Sequence, residues 1–496
     1  MKGGQQLLRR CVSGTWLFGW LVALAAVFPL MAQDDATTRN GTSAYNGAWI
    51  TGPASNPLSF LNGPAYRTFG QTTPYDFPDF APMSRLDEQL PGWIRFGWEE
   101  RFRYEGYHDG SFKLHNNDSY ILLRSRLSMT IKPTSWFKVV TQVQDARPFM
   151  QKPPWGPPNL NAWDLKLAYV QFGDPEKHWI SVRVGRQLIN YNNTIIADSE
   201  WRNQARSYDA VVANMHYSRY RLGLFAASAV IPSPEGISHH EEGNNIYGAY
   251  GGIESLFPNS VLEPFVLWRL QPSVAIETAA KVKTGKQDEW AYGFRYKGLA
   301  VKNLDYSAEW IGERGNDGPN YIDAWGTTDG LGYRFQRVWW KPRVFWQYDY
   351  ATGDRNPKDG VHGTFDTMYP TAHDRFGIAD VAGWQNITDE RVGLTVEPRH
   401  RWTFTGQYLD LWLASATDAL YNTSGGVIVR DTTGRSGRHI GQEYDAYTWY
   451  ELNRHVNIGT GVGHLQGGEF LQRTTKAPNY TYPYFAINFK DNPRSK

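Results

Sequence analysis

The stretch GWIRFGWEERFRY, from Gly92 to Tyr104, decides the fold of this chain. Apolar side chains recur at almost every second position of it, beginning with Ile94 and Phe96, and the positions between them carry mostly arginine, glutamate or glycine. Successive side chains of a β-strand point to opposite faces, so this alternation predicts a strand with one apolar and one polar face. Residues 120–131 repeat the pattern and predict a second two-faced strand.

The composition excludes several classes of protein. With 496 residues, 20% of them charged, and a mean hydropathy of -0.53, the chain is too polar for a bundle of membrane-spanning helices. Aromatic residues make up 15% of the chain, far above the content of low-complexity disordered segments. The net charge of +2 gives no basic excess of the kind that nucleic-acid binding requires. A large all-β protein, rich in aromatic residues, is what these values favour.

The N-terminus has the pattern of a secretory signal peptide. A basic start precedes an apolar run over 12–30, and Ala32 offers a small residue at a cleavage point. We therefore predict a signal peptide over 1–32; an uncleaved anchor helix is the alternative. The one cysteine, Cys11, falls within that peptide, so we expect the exported protein to have neither disulfides nor Cys-ligated zinc. Residues 33–91, rich in Gly, Pro, Asn, Ser and Thr, are predicted to form an extended N-terminal segment.

The spacing of the connections indicates the architecture, because short turn sequences alternate with long polar segments. The short turns are expected at 132–135, 173–176, 217–219, 257–260, 297–298, 341–342, 397–400 and 453–455. The long segments are expected at 105–119, 148–161, 190–207, 231–246, 271–288, 312–326, 352–388, 414–440 and 466–483. This asymmetry is typical of a bacterial outer-membrane barrel. We therefore predict an all-β fold, a transmembrane antiparallel β-barrel of about 18 strands over 92–490, with short periplasmic turns, long extracellular loops and a C-terminal tail at 491–496.

Aromatic residues cluster close to the predicted turns and loop junctions, as at 136–137, 339–340 and 449–450. Their rings favour the interface between lipid and water, and transmembrane barrels carry two such girdles. The alternative is a soluble sandwich or propeller with an aromatic core. It would leave the contrast between short and long connections unexplained, and the sequence has no fixed blade period.

A barrel of this size leaves a water-filled channel, whose chemistry is set by its inward side chains. The alternation assigns to the inward face the arginines Arg101, Arg103, Arg124, Arg126, Arg183, Arg269, Arg295, Arg334 and Arg391, together with carboxylates that include Glu99, Glu263 and Asp349. The first strands carry mostly cations, and the later strands carry both signs. Arginine stays charged near neutral pH, and its planar donor fork fits carboxylates. We therefore hypothesise that the channel suits an acidic, hydroxyl-rich solute such as a uronate chain. The alternative for each arginine is that it pairs with a carboxylate of the lumen and braces the wall.

Several blocks of sequence, in order along the chain, resemble the family of alginate-export outer-membrane porins. They lie at 120–127, 142–147, 168–171, 183–187, 201–203, 208–211 and 365–373, the last followed by Gly377 and Asp380. The resemblance covers about residues 92–490 and implies a barrel of about 18 strands that passes anionic alginate outward through an arginine-rich constriction. It also implies a selective ring that contains Arg124, Arg126, Asp145, Arg147, Arg183, Arg186 and Asp209. Alternation by itself places Arg147 on the outward face unless a bulge intervenes or the residue lies above the membrane. It does not allow Arg183 and Arg186 to face inward together in a regular strand.

These features predict a channel in the bacterial outer membrane for passive passage of an alginate-like anionic polysaccharide or its oligomers. The expected partners are that polymer, outer-membrane lipid and periplasmic export components, with no nucleic acid, no cofactor and no metal. No serine-hydrolase elbow, zinc-protease helix or phosphate-binding loop occurs in the sequence, so we expect no enzyme activity. The alternatives are a less selective porin for small anions or sugars, a barrel-embedded hydrolase and a soluble sugar-binding protein. For the loop at 352–388, a calcium site is the alternative to a hydrophilic loop that folds over the pore mouth.

Overall fold

A computed structural model describes residues 80–491, except 157, 176, 192–193, 255, 257–258, 278–281, 302, 372 and 400. The predicted signal peptide at 1–32, the rest of the N-terminal segment up to residue 79 and the tail residues 492–496 lie outside the described residues. The described part contains helix α1 at Pro82–Gln89, which belongs to the predicted N-terminal segment, and helix α2 at Glu469–Thr474. Among the described residues, none of the helices is both long and apolar enough to traverse a membrane.

Strands make up most of the regular structure. In chain order they are β1 (Ile94–Tyr107), β2 (Asp118–Ile131), β3 (Phe137–Phe149), β4 (Asn161–Phe172), β5 (Ile180–Gln187), β6 (Tyr208–Tyr217), β7 (Tyr220–Ile231), β8 (His239–Glu254), β9 (Ser260–Glu277), β10 (Val282–Val301), β11 (Leu304–Asp317), β12 (Asn320–Arg334), β13 (Arg343–Ala351), β14 (Val361–His362), β15 (Ile387–Arg399), β16 (Trp402–Leu413), β17 (Ala419–Tyr421), β18 (Val427–Arg430), β19 (His439–Glu451), β20 (Val456–Gly467) and β21 (Tyr480–Asp491). A 3-10 turn at Gly110–Phe112 follows β1.

Within the described residues, 18 of these strands form a closed antiparallel barrel. Neighbouring barrel strands along the chain pair with each other, and β1 closes the ring by pairing with β21 from Trp98↔Asp491 to Glu105↔Tyr484. The two-residue β14 lies beside β12, and β17 and β18 form a separate hairpin in the loop between β16 and β19. The predicted fold class and the predicted strand number are confirmed.

The outer face of the barrel is apolar and the inner face is polar. Leu127 and Val143 point outward and are 48% and 44% exposed, whereas the inward Gln142 is 1% exposed. Exposed positions of a soluble protein are mostly polar, so this inverted pattern fits a wall that faces lipid. Inward charged side chains such as Arg103 are buried too, because other parts of the chain fill the interior.

The short connections lie at one end of the barrel, where they join β2 to β3, β4 to β5, β6 to β7, β8 to β9, β10 to β11, β12 to β13, β15 to β16 and β19 to β20. The predicted turn at 297–298 is wrong, because both residues lie inside β10. Gly298 is needed there for space: a Cβ would lie 2.7 Å from the Tyr306 hydroxyl and 2.8 Å from the Asn259 carbonyl oxygen. Glycine in a strand marks such close approach as well as turns, so its presence in the sequence was misleading.

The predicted loops at 271–288 and 312–326 are also wrong, because most of their residues extend the barrel strands. β9 continues to Glu277 and β10 begins at Val282, while β11 and β12 are separated by only 318–319. Backbone hydrogen bonds between antiparallel strands form whatever the polarity of the side chains. Polar composition therefore does not mark the end of a strand that rises above the membrane.

Two long loops fold into the barrel and fill much of it. We call their described residues, within 188–207 and 352–386, the plug. The two parts meet in a parallel bridge, Ile196↔Tyr369, in which Ala197 N donates to Tyr369 O at 2.8 Å. The apolar side chains buried in the plug include Ile195, Ile196, Phe365 and Phe376. The loop at 352–386 thus carries a core of its own inside the barrel instead of a purely hydrophilic surface above it.

Candidate functional site

Four arginines of β1 and β2 form a group on the inner wall, which we call the arginine patch. Arg101 and Arg124 are direct cross-strand partners, and Arg103 and Arg126 flank them on the same face. All four are buried, with 2% to 8% of each residue exposed. Like charges directly opposite each other in a sheet repel, so the patch requires anionic partners.

Glu200 of the plug supplies the central anion. Its carboxylate lies 3.0 Å from Arg124 Nη2, and Arg126 Nη1 donates to both of its oxygens at 3.0 Å. Arg101 donates to the main-chain oxygen of Glu200 at 2.8 Å. Burial would raise the pKa of Glu200, but the charges of Arg126 and Arg124 hold that pKa well below its ordinary value. The carboxylate therefore stays ionised on the patch.

Trp201, the next residue, contacts two rings and a cation. The His373 ring stacks on it with centroids 3.7 Å apart and planes inclined by 2°. The Arg103 guanidinium lies 4.1 Å from its ring centre, and the Tyr484 ring packs edge-on at 5.2 Å. Aromatic and cation–π contacts of this kind each contribute about 0.5–2 kcal/mol. Trp201 thus joins both parts of the plug to the wall, and His373 is held within the second part by Asp380, whose Oδ2 lies 2.9 Å from His373 Nδ1.

The plug carries two further arginines beside this site, Arg202 and Arg206. Arg206 Nη1 donates to Ala197 O at 3.0 Å and to Pro370 O at 3.2 Å, which ties the two parts of the plug together. Burial, followed by the charge of Arg206, lowers the pKa of Arg202 to about 10, so Arg202 stays charged at neutral pH. Sequence reasoning missed both arginines, because a loop lacks the alternation that assigns a face. The signal available was the family-like block at 201–203, which contains Arg202.

Arg295 and Arg391, also predicted to face the lumen, lie apart from the arginine patch. Arg295 Nη2 is 2.6 Å from Glu263 Oε2. Two further cations approach the same buried carboxylate at 3.8 Å, and the resulting Glu263 cluster consists of Glu263, Arg221, Arg295 and Lys297. Arg391 Nη1 donates to the main-chain oxygens of Asp374 at 2.5 Å and of Arg375 at 3.1 Å. These contacts brace the wall and anchor the plug.

Arg183 and Arg186 lie on opposite faces of β5. Arg183 shares the inward face with the buried Ser181, and its guanidinium is 5.9 Å from the centre of the Tyr169 ring. On the other face, Arg186 Nε donates to Asp209 Oδ1 at 2.8 Å, at the loop end of the strand. The structure therefore does not bring Arg186 and Asp209 into the arginine patch.

Asp145 and Arg147 lie on the outward face of β3. Arg147 is the cross-strand partner of Leu123, and it shares its face with the exposed Val143. Its Nε donates to both oxygens of Asp145 at 2.9 Å. Of the predicted site residues, the structure brings together the four of the arginine patch, places Arg183 elsewhere on the inner wall and leaves this pair outside the lumen.

Buried carboxylates of the wall hold the second part of the plug. Ala379 N donates to Glu443 Oε1 and Ile378 N donates to Asp445 Oδ2, both at 3.1 Å. Gly377 precedes them with φ +86°, and a Cβ there would lie 1.9 Å from Glu443 Oε1. Glycine is thus required for the plug to dock in this way. In the described part of the chain, no three His, Cys, Asp or Glu side chains are grouped to hold a metal ion.

Comparison with known proteins gives a family and a fold. The family model for alginate export matches residues 92–483. Among solved structures from Pseudomonas aeruginosa, OccD3 (OpdP) shares 10% identity at a TM-score of 0.54, with 80% of this chain and 91% of that chain covered. OpdO shares 12% identity at a TM-score of 0.54, with 81% and 98% covered, and OpdL shares 8% at 0.51, with 81% and 99% covered. At these identities the likeness shows the fold alone. No curated protein matches the sequence.

Proposed function

Because the chain belongs to the alginate export family, we propose that its lumen passes an anionic uronate polysaccharide, or oligomers of it, and selects this cargo at the arginine patch. The protein itself is a channel of the bacterial outer membrane, since it combines the sequence of this family with a closed, lipid-facing barrel. The family and the fold are those of transport proteins. Passage through a channel needs no nucleotide, because the solute diffuses down its own gradient.

The observation that carries the proposal is the set of oriented guanidinium donors beside the plug. The four arginines of the patch lie on two neighbouring strands, and Lys166 of β4 adds a fifth basic side chain. The carboxylates that interact with this group are Glu99, Glu105, Asp164, Asp198 and Glu200. Asp198 and Glu200 belong to the plug, so a cargo carboxylate that takes the place of this part of the plug finds donors that the strands have already oriented.

The arrangement of the patch favours a polymer over a small anion. Arg101 and Arg103 lie on one strand and Arg124 and Arg126 on the next, and neighbouring strands are about 4.8 Å apart. A chain with a carboxylate on each sugar unit can contact several of these donors at once, whereas a small anion contacts one or two. The binding of linked groups is strengthened by their high effective concentration.

Ion currents through the purified wild-type channel in planar bilayers test the proposal. We expect an oligouronate to block the current at a lower concentration than a neutral oligosaccharide of the same length. The difference should shrink at high salt, where charges are screened. Equal block by both sugars would refute selection by charge and favour a less selective porin. Release of shorter products from the oligouronate would indicate a hydrolase instead of a simple channel.

A further inference from the structure

Glu200 and Trp201 present a carboxylate and a flat ring side by side at the arginine patch. A uronate unit has the same two parts, since its carboxylate is attached to a six-membered ring with apolar C–H faces. We propose that Glu200-Trp201 is an internal substitute for one uronate unit, and that it occupies a sugar-binding subsite which the cargo takes over. This inference rests on the proposed function, because it assumes a uronate cargo.

The carboxylate half of the subsite is built by β1 and β2. Arg124 and Arg126 bind the Glu200 carboxylate, and Arg126 is itself positioned by donating from Nε to Gln144 Oε1 at 2.8 Å. Because this positioning group belongs to the wall, Arg126 keeps its orientation when Glu200 leaves. A cargo carboxylate can then accept the same charge-assisted hydrogen bonds.

The ring half of the subsite lies next to the carboxylate half. Trp201 fills a space bordered by Arg103 and Tyr484 of the wall and by His373 of the plug. Tyr484, whose ring is inclined by 82° to that of Trp201, offers an aromatic contact to a sugar ring in this space, and Arg103 offers donors to its hydroxyl and ring oxygens. These two wall residues lie on strands, so they stay in place when the plug moves.

Only a short stretch of chain has to move for the exchange. Asn203 ties the plug to the wall just after the dipeptide, because its side-chain amide donates to Leu123 O at 3.1 Å and to Asn159 O at 3.0 Å. Before the dipeptide, Ala197 is held in the plug bridge. The exchangeable stretch is therefore 198–202, and the apolar centre of the plug need not unpack.

The cargo then promotes its own entry. Without cargo, Glu200-Trp201 covers the subsite; a uronate that binds there stabilises the displaced state of the plug. A neutral sugar lacks the carboxylate and a small anion lacks the ring, so neither competes at both halves. Only channels whose subsite is uncovered can bind cargo there, so the apparent affinity equals the intrinsic affinity multiplied by the uncovered fraction. A variant that uncovers the subsite therefore raises the apparent affinity.

Two variants and a control test the proposal in planar bilayers, with a uronate oligomer as the probe. Glu200→Gln removes the carboxylate, and Trp201→Ala removes the ring without changing the charge. The control Glu469→Gln removes a carboxylate from an exposed pair with Arg473. We expect both test variants to raise the basal conductance and to lower the blocking concentration about tenfold or more, while the control behaves as the wild type. Heat-modifiable migration on gels verifies that each barrel is folded.

The outcomes separate this proposal from the proposed function. If the oligomer blocks the wild type, and both test variants have unchanged conductance and unchanged blocking concentration, the subsite is refuted while the proposed function stands. A lower blocking concentration in Glu200→Gln alone also refutes it, because the loss of a negative charge then explains the effect. If the oligomer blocks neither the wild type nor any variant, the proposed function itself fails.

Discussion

Removing two arginines of the patch should weaken block by the cargo far more than removing two arginines from outside the lumen. The double variant Arg124→Ala with Arg126→Ala lacks the two guanidinium groups that lie 3.0 Å from the Glu200 carboxylate. A cargo carboxylate in that position would lose the same partners. Because Glu200 loses them as well, the plug is released in part, and we expect the basal conductance to rise.

The size of the effect follows from these contacts. A hydrogen bond to a charged group contributes about 1.5–3 kcal/mol net, and the lower value applies because a wet lumen screens charge. Two such bonds contribute about 3 kcal/mol, which corresponds to a blocking concentration roughly 100-fold higher. The released plug no longer competes with the cargo, which offsets part of this loss. We therefore expect an increase of about 10- to 100-fold.

The assay is the block of ion current by a uronate oligomer, expressed relative to the unblocked current of each variant. It is repeated at about 0.1 M and about 1 M salt, because the effect of the lost charges should be larger where screening is weaker. The control variant Arg219→Ala with Arg314→Ala removes the same charge from outside the lumen, where Arg219 is exposed and Arg314 is half-buried. Unchanged block in the patch variant, or an equal loss in the control, would refute the role of the patch.

Three further predictions concern the plug and the wall. Gly377→Ala should raise the basal conductance, because the new Cβ would lie 1.9 Å from a Glu443 oxygen and the plug would have to shift. Lowering the pH from about 7 to about 4 should reduce the basal conductance. Burial, followed by the charge of Glu200, raises the pKa of Asp198 to about 6 in the docked plug. The docked plug therefore binds a proton at Asp198 more tightly than the displaced plug does. Docking is strongest at low pH and weakens as the pH rises through about 6. Glu263→Gln should lower the free energy of unfolding in detergent, measured with urea, by about 3–5 kcal/mol, because the Glu263 cluster loses its buried anion.

Each of these predictions has a matched control. Gly360→Ala lies in the same loop at φ +80° with nothing within 4 Å of the new Cβ, and an equal rise in conductance there would assign the effect to backbone strain. Asp198→Asn should abolish the pH response, and a response that persists would contradict its assignment. Glu254, which also pairs with Arg221, has a side chain that is 46% exposed, so Glu254→Gln should change the unfolding free energy by no more than about 1 kcal/mol. Equal losses in both glutamate variants would contradict the importance of burial.

The strands were predictable because their signal is local. In β1, apolar residues alternate with charged ones, and one face contacts lipid while the other faces the interior, so the period of two appears in the sequence itself. The same signal assigned Arg101 and Arg126 to the inner wall and Arg147 to the outer wall. The sequence signal failed at Gly298, because glycine is required there by close packing in the wall and not by a turn. It also failed at the hairpin between β11 and β12, because the backbone pairing continues to Asp317↔Asn320 although the side chains there no longer alternate between apolar and polar.

The amino-acid sequence by itself determined the barrel and the number of its strands, through the alternation of short and long connections, and it determined the face of most strand side chains, through the period of two. The tertiary structure decided what fills the barrel. Arg124 meets Glu200, which is 76 residues away in the chain, and Ile196 meets Tyr369, because two loops without any period fold inward and dock there. The partners of a loop are chosen by long-range packing and charge pairing, which no local pattern encodes. The charge that the lumen presents to its cargo therefore depends on where these loops come to lie.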